Sequence, residues 1–199
     1  HRYNNTLALY CKAPWIMFFS DDAIMMTKSW DSIIKRYSKK FKLLRVEEPT
    51  KHPYAIFPIF PYDWFRLIDH ISLHAQNDAW QSEIAYMLGI IETIPVKVIH
   101  DRADITGNND DEIFRSRKYN EGNPQDINDL HHKKMINLRM SETSKIAWFL
   151  EKIGQPSQQW KEFIEKKLDP RDTLRKAFIE YRKIGAIGMG KKDAIQKIK

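Results

Sequence analysis

Apolar and polar positions divide the chain into a first part of mixed strand and helix and a second part that is helical. "RYNNTLALYCKA" (2–13) reads as the end of a helix that Pro14 closes. "WIMFF" is an unbroken apolar run stopped by Ser20-Asp21-Asp22, which predicts a buried strand over 15–20. "SWDSIIKRYSKKF" carries apolar residues at helical spacing, with Ser29 as N-cap. "YAIFPIF" predicts a strand over 54–60, placed at an edge or a bulge by Pro58. "YDWFRLIDHI" reads as a short helix. "NDAWQSEIAYMLGII" reads as a longer one, starting near Asn77 or Asp78 and stopping near Gly89. "IPVKVIH" predicts a strand over 96–100 that ends at His100.

From Asp101 to Asp129 the chain is rich in Asn, Asp, Gly and charge and reads as a long loop. Beyond it, "KKMINLRMSETSKIAWFLEKIG", "SQQWKEFIEKKL" and "PRDTLRKAFIEYRKIG" are helical, separated by Gly154, Pro156 and Pro170. The expected class is α/β: a mostly parallel or mixed sheet within 1–129, followed by a helical region over 130–199.

Composition narrows this little. With 42% hydrophobic residues in 199, the chain can bury a real core. No apolar run is long enough for a membrane span, and no signal peptide opens the chain. A single cysteine, Cys11, excludes an internal disulfide and fits a reducing, cytoplasmic compartment. The net charge of +7 fits an anionic partner, whether nucleotide, nucleic acid or charged surface, and equally a set of solvated helices.

Three places carry candidate chemistry. Asp21 and Asp22 follow an apolar strand, where adjacent carboxylates suit Mg²⁺ or Mn²⁺ held against phosphates, or serve as turn and cap residues. Asp78 at a helix start is a cap, or a general base at the rim of an active site. His100, closing a strand, is a metal ligand, a core histidine, or exposed.

Their order is more specific than any one of them. Strand-SDD, a helix with Trp-Asp, a strand, a helix beginning Asn-Asp, and a strand ending in His resembles the later half of a GT-A glycosyltransferase of the family 2 kind. The stretch carrying the likeness is "RYNNTLALYCKAPWIMFFSDDAIMMTKSWD", with "QNDAW" and "VKVIHD" after it. The resemblance spans roughly residues 2–110. It implies a Rossmann-like sheet whose nucleoside-binding half lies upstream of His1. It further implies Mn²⁺ or Mg²⁺ on Asp22 and His100, with Asp21 on the nucleotide side and Arg102 near the diphosphate. Asp78 is then the base of an inverting sugar transfer from a nucleotide-sugar to an acceptor hydroxyl, on a saccharide or another molecule. Trp80 packs on a sugar face, the loop at 101–112 closes over the donor, and Glu83 or Asp63 stands in should Asp78 only cap. Departures are Asn77-Asp78 in place of the usual Glu-Asp, and a helical region after 130 without a counterpart.

Two other readings compete. In a polymerase palm, Asp21-Asp22 would be the tip of a hairpin with "AIMM" as its second strand, but a further metal-binding Asp has no room upstream in this sequence. In a nucleic-acid-binding or interaction module, the basic helical half would make the contacts, with Trp148, Trp160 and Tyr181 as a stacking surface.

Overall fold

The structure, a computed structural model, describes residues 2–50, 52–101, 129–172, 175–176 and 179. Five strands make one mixed sheet: β1 (Trp15–Met17), β2 (Ala23–Met25), β3 (Leu43–Glu47), β4 (Ile59–Pro61) and β5 (Ile91–His100), in the order β1-β4-β3-β5-β2. β4 is antiparallel to both β1 and β3, and β3 is parallel to β5, so β1, β3 and β5 run the same way. β2 runs against the end of β5, with Ala23 opposite His100. Residues 18–22 alone connect β1 to β2, which stand at opposite ends of that order, so the sheet curls.

Side chains alternate between two cores, as strand geometry requires. Leu43 and Phe60 face one; Leu44, Val46, Ile59, Val96 and Val98 face the other. The first core is covered by α3 (Tyr62–Ile68), α4 (Asn77–Leu88), α5 (Lys133–Lys152) and α6 (Gln158–Glu165), with Ala8 of α1 (Arg2–Leu9) at its margin. The second is covered by α2 (Trp30–Lys35) through Ile34 and Trp30. Leu130, Ile146, Leu150 and Phe163 pack in the same core as Trp64 and Trp80, so the helical region and the sheet share one interior. Among the described residues no helix is long and apolar enough to cross a membrane.

Several elements differ from the sequence expectation. β1 ends at Met17 and is half-buried rather than buried, because it is an edge strand paired only with β4. β4 is confined to Ile59–Pro61 and is not an edge: Pro58 lacks an N–H, and upstream of it the Ala55 N–H goes to the Ser82 hydroxyl at 2.9 Å. β5 begins earlier than expected, at Ile91, and carries a bulge. Its register against β3 passes from Arg45–Thr93 to Glu47–Lys97, leaving extra residues around Pro95 where no ladder donor is needed. β3 was not foreseen, and β2 was expected only as the "AIMM" strand of the palm-like reading. β3 is masked in the sequence by Arg45, which is buried and donates to the Pro53 carbonyl at 3.1 Å and the Tyr86 hydroxyl at 3.0 Å. Ser29 sits at the start of α2 but in the left-handed region (φ 54°), and its side chain caps nothing. β1 and β2 do not pair with each other, so the palm-like hairpin is not formed. Trp160 is core, stacked on Phe163 at 5.2 Å, while Trp148 is exposed; Tyr181 lies outside the described residues.

Candidate functional site

Parallel strands bring their carboxyl ends to one edge of a sheet, the usual place for a ligand in α/β folds. Here Asp21 and Asp22 follow the end of β1, and His100 is the last residue of β5. Between α4 and β5 the chain turns within Gly89-Ile90. Gly89 has φ 65°, a conformation a glycine adopts freely. Helix and strand therefore double back, returning the start of α4 and Asp78 to the edge where β5 ends. Asp21, Asp22, Asp78 and His100 line a single cleft of about 1260 Å³.

The 20–22 turn is held locally. The Ser20 hydroxyl donates to the Asp22 carboxylate, and the Ala23 N–H to the Ser20 carbonyl at 3.1 Å. The Asp22 carbonyl accepts from the Asp101 N–H at 2.7 Å, fastening the turn to the end of β5. His100 Nε2 lies 3.0 Å from Asp22 Oδ2. The His100 ring is buried edge-on to Phe57, 5.1 Å between centroids, and its Nδ1 has no hydrogen-bond partner among the described residues. Asp21 is exposed beside this pair.

Asp78 is half-buried in the first turn of α4. The N-cap position belongs to Gln76, which makes no side-chain cap. Burial pushes the Asp78 carboxyl above the usual carboxylate range; the Ala79 amide, the His52 and His100 rings and its own amide pull the other way but less. A helix N-terminus lowers the basicity of a carboxylate in its first turn; here burial outweighs that.

Two cis ligands on a small cation at about 2.1 Å stand about 3.0 Å apart, which is the separation of His100 Nε2 and Asp22 Oδ2. That contact is itself an imidazole–carboxylate hydrogen bond; the two donor types are ones that Mg²⁺ or Mn²⁺ accepts once the imidazole nitrogen has given up its proton. Among the described residues no group of three His, Cys, Asp or Glu side chains stands ready to hold an ion, so further ligands would be water and substrate phosphates, as is common for Mg²⁺.

The other expected residues fall elsewhere. Trp80 is fully buried and is not a sugar platform: its Nε1 donates to Glu142 at 2.8 Å and Arg139 lies over its ring at 5.0 Å. Glu83 is buried against Arg139 Nε at 2.7 Å and accepts from the Tyr54 hydroxyl at 2.9 Å. Asp63 is exposed, 3.4 Å from Arg66. Arg102 and the loop residues after Asp101 lie outside the described residues. Sequence reasoning missed His52, Tyr54 and His74, which line the cleft. Lone residues in irregular segments give no periodic signal that would have singled them out. Comparison of the chain with protein-family models, with curated proteins and with solved structures finds no match.

Proposed function

We propose that this chain carries the acceptor side of a metal-dependent, inverting glycosyltransferase with a GT-A-like, Rossmann-like sheet of the family 2 kind. The observation supporting it is the convergence of Asp21, Asp22, Asp78 and His100, from three separated stretches, on one cleft at the carboxyl edge of the parallel strands. Asp22 and His100 would hold Mn²⁺ or Mg²⁺, with Asp21 toward the nucleotide and Arg102 toward the diphosphate. When bound, the cation neutralises charge gathering on the leaving diphosphate.

Asp78 takes the proton of the acceptor hydroxyl as its oxygen bonds to the anomeric carbon. The bond from that carbon to the diphosphate breaks, and the diphosphate leaves with the electron pair. A carboxyl whose basicity is raised by burial suits this work better than an ordinary surface Asp. The donor is a nucleotide-sugar, the acceptor a saccharide or other hydroxyl compound, and the compartment proposed from the lone Cys11 is the cytoplasm.

The test is calorimetric titration of the full chain with Mn²⁺ and a nucleoside diphosphate, followed by assay against a panel of nucleotide-sugars. Mn²⁺-dependent diphosphate binding that Asp22→Ala and His100→Ala each abolish is the expected result. Binding unchanged in both variants overturns the reading.

A further inference from the structure

The run "WIMFF" is apolar on both faces, as a strand buried in a sheet would be, yet the fold leaves it at an edge. Trp15 and Met17 lean on the second core, Ile16 and Phe18 on the first, and all four are only half-buried. β1 pairs with β4 alone and ends at Met17. Phe19, two residues on, rests against Phe57 with 5.9 Å between ring centroids and stays 46% exposed. Leu7 on α1 repeats the pattern: its neighbour Ala8 enters the first core, while Leu7 itself is 52% exposed.

This accessible apolar surface gathers in one place. Leu7, Ile16, Met17, Phe18 and Phe19 line the cleft, joined by half-buried Ile56 from the segment ahead of β4. Asp21, Asp22 and Asp78 line the same cleft. One cavity thus has an acidic part and an apolar part. Its volume of about 1260 Å³ exceeds the roughly 300–1,000 Å³ of most small-molecule sites, so it has room beyond the reacting groups.

Apolar side chains scattered singly over a surface need no explanation; gathered in a concave cleft beside titratable groups, they mark a ligand groove. A phosphate or a free monosaccharide carries polar groups around its edge and would leave the apolar part wet. A hydroxyl borne on a hydrocarbon chain uses both parts: the chain leaves water, and the hydroxyl donates to a carboxylate. We infer that the cleft takes an amphiphilic hydroxyl compound, its alkyl chain on Leu7, Met17, Phe19 and Ile56 and its hydroxyl toward Asp78. Removal of the hydroxyl proton by Asp78 rests on the transferase reading; the apolar contact does not.

The experiment uses the full chain with ¹³C-methyl-labelled methionine, titrated with 1-butanol, 1-hexanol and 1-octanol, and with glycerol as the polar control. Met17 reports the cleft, buried Met87 the core, and Met26, 54% exposed and outside the cleft lining, the open surface. The expected result is a saturable shift of the Met17 methyl with each alcohol and none with glycerol, while Met26 and Met87 stay put. The dissociation constant should fall about twofold to fourfold for each added CH₂, the larger figure being full burial. Leu7→Ser and Phe19→Ser should each weaken 1-octanol about fivefold or more, and Phe19→Leu should recover most of the loss. No Met17 shift, an equal shift at Met26, or an affinity indifferent to chain length overturns the inference. So does cosedimentation with phosphatidylglycerol vesicles without any Met17 response to alcohol, which would give these side chains to a membrane surface. A dimer that Phe19→Ser dissociates and that 1-octanol leaves unchanged would give them to a second copy and overturns it equally. Diphosphate binding that survives Asp22→Ala, with the alcohol shifts intact, counts against the transferase alone; absent alcohol shifts with normal diphosphate binding count against this apolar site alone.

Discussion

Asp78 and Glu83 stand on the same helix, and burial raises the carboxyl of each above its ordinary range, yet they have opposite fates. Glu83 points into the interior, where Arg139 of α5 lies 2.7 Å away and Tyr54 donates to it. Arg139 also donates to the Leu130 carbonyl at 2.8 Å, and the neighbouring Glu142 is held by Trp80 and His70 at 2.8 Å each. Asp78 meets the cleft, and among the described residues no cation stands within ion-pair distance of it. The lesson is that burial alone does not make a carboxylate reactive. A desolvated charge whose counter-charge is built in becomes a fastener; one left to find its partner in a ligand keeps its chemistry.

The sharpest way to break this comparison is to remove the built-in counter-charge. Arg139→Ala strands Glu83 in the core and should cost about 3–5 kcal/mol of unfolding free energy, read by urea denaturation. A loss below about 1 kcal/mol would mean that water reaches Glu83 and that the two carboxylates are alike.

Next in size is the proposed base. Asp78→Asn should keep Mn²⁺ and diphosphate binding while cutting turnover about 10²-fold, measured as initial rates with a saturating nucleotide-sugar. Near-normal turnover would make Asp78 another structural carboxylate.

The proposed ligand pair, Asp22 and His100, comes third. Asp22→Ala should weaken Mn²⁺ binding by about tenfold or more with the melting temperature little changed, because Asp22 lies at a half-exposed turn; His100→Ala should weaken it as much but also lower the melting temperature, because its ring is buried against Phe57. Unfolding of Asp22→Ala would instead class that pair with Glu83–Arg139.

The smallest effect is a pH dependence. With its folded pKa raised, Asp78 binds a proton more readily folded than unfolded, so its charge destabilises the fold above the raised value and that penalty is relieved as pH falls through it. Asp78→Asn should therefore melt slightly higher than wild type at pH 7, and the gap should close on acidification. A gap that widens toward acid pH contradicts the direction given to this group. By the same shift, the acid limb of the turnover profile should lie above the ordinary Asp range.

How much of this was legible beforehand differs between the site and the sheet. The candidate residues were legible where a polar side chain coincides with the end of an element. Asp22 after "WIMFF", His100 closing "IPVKVIH" and Asp78 opening α4 are marked by breaks in local periodicity, and the structure brings all three to one cleft. Trp80 misled because a tryptophan beside a candidate base looks the same in sequence whether it stacks on ligand or core. Its 3.6-residue phase on α4 turns it toward Glu142 and Arg139, residues more than fifty positions later in the chain.

What the sequence determined by itself is therefore the local grammar: α4 from Asn77 to Leu88 with Gly89 at its stop, an apolar strand ahead of Asp21-Asp22, and the helical run after Leu130. Only the tertiary structure decided that β2 pairs with β5, that β3 hides Arg45 inside, and that Glu83 is a fastener and not a base. The physical reason is that helix caps and apolar periods are set by interactions within a few residues. Strand pairing and charge compensation depend instead on partners far away in sequence, and for a desolvated carboxylate it is that distant partner which fixes its chemistry.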